Sequence, residues 1–163
     1  MKYVTLALFA LPLPVIAGEV DIVGNVEAKC IIQTDTSGVY GNPTADKLST
    51  TPADSGVEPV VRYDVAVANY YLAKITHPTS FSSSPTLTDT VAWAGSTAVS
   101  NTSDALMSAY DTNKITYDST TQFDLTVAGS TWFKTSSTAT YGVSKAFPGG
   151  AYTAVVQAEC IAK

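Results

Sequence analysis

Small and apolar residues recur at every second position in two long runs, one near each end of the chain. Over residues 20–32 the even positions read Val20, Ile22, Gly24, Val26, Ala28, Cys30 and Ile32, while Asp21, Asn25, Glu27 and Lys29 fall among the odd ones. Over residues 152–162 the even positions are Tyr152, Ala154, Val156, Ala158, Cys160 and Ala162. Period-two alternation sets one face of a strand on a core and the other in water. Both runs therefore predict strands, each with its cysteine pointing inward.

The interior repeats the signal in shorter pieces. Residues 60–68 put Val61, Tyr63, Val65 and Val67 opposite Arg62 and Asp64. That strand is expected to continue through a bulge at Asn69 as far as Thr76, with Pro78 as the stop. Residues 89–94 predict a strand with Val91 and Trp93 on one face and Gly95 at its end. Further strands are expected at 114–117, at 122–128 with Phe123, Leu125 and Val127 inward, at 131–134 and at 141–147. Residues 33–56, rich in Thr, Ser, Asp, Gly and Pro, read as a loop with one short edge strand at Val39 and Tyr40. The one helix-like segment is 103–110, with Ser103 as N-cap and Leu106 and Tyr110 four apart. Asp111 to Asn113 and Pro148-Gly149-Gly150 read as turns. Seven to nine short strands separated by turn residues predict an all-β fold, a two-sheet antiparallel β-sandwich.

The ends and the charge refine this picture. Lys2, an apolar run over residues 4–10 and the small-residue site Val15-Ile16-Ala17 have the grammar of a secretory signal peptide spanning 1–17, cleaved after Ala17 or Gly18. The run is too short, and too interrupted by Pro12 and Pro14, to span a membrane. Residues 19–163 would then form one exported domain. The formal charge of −5 argues against nucleic acid and against anionic membrane surfaces as partners, and no membrane insertion is expected. Two cysteines in an oxidising compartment most simply make one disulfide, Cys30–Cys160; the rival reading is two buried free thiols.

Catalytic chemistry finds little support. His77 is the only histidine, sits before a proline without a neighbouring nucleophile motif, and reads as an exposed turn residue. A zinc site would need three or four His or Cys ligands. Asp111, Asn113 and Asp118 faintly suggest a calcium loop but lack its glycine and terminal glutamate, so an Asx-type turn is the better reading. Asn101-Thr102-Ser103 fits a glycosylation sequon. Trp93 and Trp132 could stack on a sugar, although strand tryptophans more often belong to a core. No enzyme activity, cofactor or metal is expected; the chain looks built to bind or to assemble.

The two ends also resemble a known family. Gly24-Asn-Val-Glu-Ala-Lys-Cys30 resembles the opening of chaperone–usher pilins, in which an alternating run leads to a cysteine in the first strand. Gly150, fourteenth residue from the C-terminus, followed by Tyr152, Ala154, Val156, Ala158 and Ala162, resembles the terminal strand of fimbrial subunits that a periplasmic chaperone reads. The resemblance implies an immunoglobulin-like sandwich that a donated strand completes. It also implies assembly of copies into a surface fibre, with a periplasmic chaperone and an outer-membrane usher as transient partners. The candidate donor is the extension 19–26, with Val20, Ile22 and Val26 inserting and Gly24 at the tightest approach. Both cysteines are expected near the C-terminal ends of their strands, so a bridge in register would favour parallel neighbours and would partly shut the groove they flank. Two arrangements remain open: a disulfide crossing between sheets, or a complete domain that assembles differently. The alternative function is a self-sufficient secreted module that binds a glycan or a protein through Trp93, Trp132 or exposed tyrosines.

Overall fold

The structure, a computed structural model, describes residues 24–163. Among them ten strands make two antiparallel sheets stacked as a sandwich. The first sheet holds β1 (Cys30–Thr36), β2 (Gly41–Thr44), β3 (Lys47–Ser49), β4 (Val60–Val65), β6 (Val91–Thr102) and β9 (Gly129–Tyr141). The second holds β5 (Tyr71–Thr76), β7 (Ile115–Tyr117), β8 (Thr120–Leu125) and β10 (Gln157–Ala162), in the order β10-β5-β8-β7. β9 organises the first sheet. β4 pairs with its first half and β3 with its second, so β6, which pairs along nearly all of it, must lie on its opposite edge. β1 pairs only with β4 and β10 only with β5, so each ends its sheet.

The core follows the apolar alternation where that alternation is clearest. β4 buries Val61, Tyr63 and Val65, and β8 buries Phe123 and Leu125. Phe133 packs edge-on to Tyr63 at 5.5 Å and tilted on Phe123 at 4.4 Å, joining the sheets through three rings. The Tyr63 hydroxyl donates to the Glu159 carbonyl at 3.1 Å, which ties β4 to β10 across the sandwich. Burial pushes that phenol's pKa up, against the hydrogen bond's opposing pull.

Several expected boundaries move, each for a local reason. Residues 131–134 and 141–147 are not two strands: β9 runs unbroken from Gly129 to Tyr141, with Thr131, Thr135 and Ser137 taking inward positions. Gly95 does not end its strand. β6 passes through it, paired with β9 on both sides, and glycine is needed there because a Cβ would lie 2.6 Å from both the His77 ring and the Ser136 carbonyl. Asn69, at φ 61°, belongs to a turn that carries the chain from β4 in one sheet to β5 in the other, not to a bulge within one strand. Residues 33–56 are more ordered than a loop: β1 extends to Thr36, β2 and β3 form a hairpin, and Val39 bridges to Val57. The helical segment is a 3₁₀ turn, Ala105–Ala109, running into α1 (Tyr110–Asn113). Its N-cap is Asp104, which accepts from Leu106 N at 2.8 Å, in place of Ser103. Met107 and Tyr110 fill the core while Leu106 stays exposed.

Candidate strand-docking groove

The cysteines form a disulfide, and it crosses between the sheets. Cys30 is the first residue of β1, not one near its end, and Cys160 is the fourth of β10. The Cα atoms are 6.4 Å apart. From this staple the two edge strands run in opposite chain directions: β1 leads away from it, and the segment feeding β10 leads toward it. Beyond the crosslink the walls part. Thr34 and residues 36–40 line one side and residues 150–156 the other, over a floor that includes Leu48, Val60, Val61 and Ser137, with a volume of about 670 Å³. Six rises of about 3.3 Å across the seven residues 150–156 give the groove a length of roughly 20 Å.

Main-chain polarity shows what this groove presents. Strand N–H and C=O groups point alternately to the two edges. Lys163 N donates to Tyr70 O at 3.0 Å, and Thr153 N donates to Ser83 O at 2.8 Å, so odd-numbered residues near the C-terminus face the β5 side. Tyr152, Ala154 and Val156 therefore direct their amides and carbonyls toward the groove. On the other wall, Ala66 N donates to Lys29 O at 3.0 Å, so odd residues face β4 and the main chain of Ile32 and Thr34 faces the groove. Among the described residues, Thr153 is the one member of 151–155 with main-chain hydrogen bonds. The groove thus lies between the end of β1 with residues 37–40 on one side and the extended segment 150–156, ahead of β10, on the other. Val39 bonds to Val57 and Thr153 to Ser83, and the main chain of Thr34, Tyr152, Ala154 and Val156 facing the groove has no backbone partner among the described residues.

Its chemistry is apolar and uncharged. No Asp, Glu, Lys, Arg or His lines it. Tyr152, Ala154 and Val156 are half-buried with their side chains inward, continuing the parity of Ala158 and Cys160, whereas Ala162 is exposed. Gly150, at φ 150°, starts the wall where a Cβ would run into the Pro85 ring. At this end Tyr40 and Tyr152 of the lining pack on Phe81, whose ring lies 5.1 Å from Tyr152, 6.4 Å from Tyr40 and 4.7 Å from Trp93. The Tyr40 hydroxyl shares a 2.9 Å hydrogen bond with Ser137, and burial raises its pKa in spite of that bond.

The other candidates distribute as follows. Val20, Ile22 and the whole segment 1–17 lie outside the described residues. Gly24 and Val26 belong to residues 24–29, an exposed stretch outside any strand, so within the described part of that alternation the strand begins at Cys30. Val26 is 76% exposed, an apolar side chain left uncovered by the other described residues. His77 is half-buried against Gly95, its Nδ1 3.3 Å from Pro78 O, and is not an exposed turn residue. Trp132 is stacked under the Arg62 guanidinium at 5.7 Å and donates to Asp35 at 3.2 Å, and Trp93 packs in the Phe81 cluster. Arg62 also holds Asp64 at 2.7 Å. Partial burial opposes ionisation of Asp64, but hydrogen bonds from Ser130 and Arg62 prevail and keep its pKa below the usual carboxylate range. Asp111 stands in a helical turn and not in a calcium loop. Its two carboxylate oxygens accept from Val99 N at 3.1 Å each, and Lys114 beside it donates to Thr97 O at 2.8 Å. Together they cover the outer edge of β6. Among the described residues no cluster of three or more His, Cys, Asp or Glu is placed to hold a metal ion.

Sequence reasoning expected a strand over residues 152–162, but β10 begins only at Gln157; residues 152–156 are extended chain with one isolated bridge, Thr153 to Ser83, and the opposite wall was missed. Thr34 shares the parity of Cys30 and Ile32, but a register shift between Thr34 and Thr36 interrupts the alternation, so no continuous signal marked this wall. Leu48, Val60 and Val61 become floor residues only through the pairing of β3 and β4 with β9. Compared with known proteins, the chain matches no family model, and no match emerges among curated proteins or solved structures.

Proposed function

We propose that this chain is a structural subunit of an extracellular fibre, in which residues 19–26 of one copy occupy the groove between β1 and residues 150–156 of the next. The observation that carries this reading is the groove itself, apolar, uncharged and bordered on both sides by main-chain groups without backbone partners among the described residues. An incoming extended segment would hydrogen-bond to both edges while alternate side chains enter the space between them, the mode of strand addition. The extension has complementary chemistry. Val20, Ile22, Gly24 and Val26 share one parity, and Glu19, Asp21 and Asn25 share the other, which would face water. Its eight residues extend about 23 Å, close to the groove's length.

Such a contact joins two different surfaces of identical subunits, so it propagates without closing. The other long edge is protected: Asp111 and Lys114 cover β6 at Thr97 and Val99. An open groove, an apolar alternation in 19–26 and an opposite edge capped at Thr97 and Val99 suit a linear polymer. An open apolar groove is an aggregation hazard before assembly, which gives a periplasmic chaperone strand a physical reason to hold it until an outer-membrane usher exchanges it. That part of the reading, like export to the cell surface, leans on the pilin resemblance of the two ends; the crosslink supports an oxidising compartment.

Deletion of residues 19–26 tests the proposal. Light scattering coupled to size exclusion is expected to find polymers of the full mature chain and folded monomers of the truncated one. A full-length protein that stays monomeric at high concentration, without any chaperone, overturns it.

A further inference from the structure

The crosslink stands where the extension leaves the domain. Resting on the reading above, we propose that the Cys30–Cys160 disulfide bars a subunit's own extension from its own groove, and so reserves that groove for a second copy. A strand lying between two others needs two inter-strand spacings, about 9.6 Å in all. At the crosslink the walls are 6.4 Å apart at Cα, too close for any chain to pass between them. The exit direction adds to this. Ala66 N donates to Lys29 O at 3.0 Å, so at Lys29 the chain still runs in line with β1, away from the open part of the groove, and residues 24–29 are exposed.

Self-insertion would require the chain to reverse just before Cys30. The tightest hairpin, turning at Glu27 and Ala28, sets Val26 opposite Lys29, Asn25 opposite Cys30 and Val23 opposite Ile32. The open stretch begins at Thr34, so only residues 19–21 would reach it, while 23–25 would collide with the bridged region. Of the apolar donor positions, Val20 alone would be usable. A second copy meets no such limit, because it enters from the open side and can lay all of 19–26 along the walls.

The block has a thermodynamic purpose. A tethered segment able to reach its own site acts at an effective concentration of about a millimolar. At micromolar subunit, self-insertion would then exceed exchange between copies by about a thousandfold and yield monomers. Excluding the wrong occupant by geometry, without weakening the right one, is specificity by exclusion.

Two full-length mature variants test this by light scattering at micromolar concentration. One is the double variant Cys30→Ala/Cys160→Ala. The other keeps the disulfide but carries a flexible Gly/Ser insertion of about six residues after Val26, long enough to lead the extension around the crosslink. Both are expected to shift from polymer to monomer by at least tenfold relative to the parent, with residues 19–26 protected from protease in the monomer. Circular dichroism checks the fold; if the cysteine-free protein is unfolded, the insertion variant decides alone. Folded variants that polymerise like the parent overturn this inference, while loss of polymer on deleting 19–26 still upholds the groove. If that deletion leaves the polymer intact, the groove reading fails and this inference falls with it.

Discussion

Removing the disulfide should cost the domain a large share of its stability without dismantling its sheets. Cys30 and Cys160 are 130 residues apart, so the bond closes nearly the whole domain into one loop. The chain-entropy relation gives a loop of that length about 5 kcal/mol, as an upper figure. A domain of this size is stable by roughly 7–20 kcal/mol, so the loss is severe but survivable. The strands themselves stay anchored, because β1 is paired with β4 from Cys30↔Val65 onward and β10 with β5 through Cys160↔Ala73. The test is urea unfolding of Cys30→Ala/Cys160→Ala, made in the chain lacking 19–26 so that assembly does not interfere. With a denaturant slope of about 2 kcal/mol per molar, the midpoint is expected to fall by roughly 2 M, and the slope to rise because the unfolded chain is no longer crosslinked. A loss below about 1 kcal/mol would refute the reasoning, since the crosslink would then not restrict the unfolded ensemble as the loop length requires.

Three further outcomes follow from individual contacts. Gly95→Ala is expected to destabilise by about 1–3 kcal/mol in urea melts, because the new Cβ meets the Ser136 carbonyl and the His77 ring at 2.6 Å. Asp111→Ala leaves Val99 N without its carboxylate at the edge of β6; a loss of about 1–3 kcal/mol is expected, with sheet-to-sheet association of the truncated protein detectable by light scattering. Asp54 is held down to about 2 from the usual 3.8 by hydrogen bonds from Lys47, then Ser49 and Thr51. A depressed carboxylate contributes stability above its unfolded pKa and loses it as pH falls through the folded one, so urea midpoints should decline between about pH 4 and pH 2. Asp54→Asn should make that limb shallower, and an unchanged limb would contradict the assignment.

The fold was readable where inward positions are apolar. Val61, Tyr63 and Val65 in β4 and Phe123 and Leu125 in β8 announce their faces without ambiguity. It was obscured where hydroxyls stand in for hydrocarbon. β6 and β9 bury Thr97, Thr131, Thr135 and Ser137, whose polar atoms find partners such as the Thr97–Thr135 pair at 3.2 Å. A Ser/Thr run of this kind reads as loop because nothing local reveals that its hydroxyls will be satisfied by a neighbouring strand. The same chemistry hid one wall of the groove, since Thr34 and Thr36 line it with hydroxyls and a register shift between them interrupts the alternation. Alternation also misled in the opposite sense at residues 24–29. There the period is strict and yet the segment is left exposed by the other described residues, as expected if its partner is supplied by another chain. That the cysteines face inward was legible from parity; that they join two sheets depends on the turn at Asn69 sending β5 across the sandwich, a long-range outcome with no local signature.

The central claim is that the edges facing the groove are vacant and are filled by residues 19–26. Site-resolved amide hydrogen exchange on the truncated, disulfide-bonded domain tests it most directly, with and without a synthetic peptide of residues 19–26. The account predicts that amides of Tyr152, Ala154, Val156 and Thr34 exchange readily alone and become protected with peptide, while Thr153, already bonded to Ser83, changes little. Protection of those even-numbered amides before any peptide is added, or binding that leaves them unprotected, would contradict it.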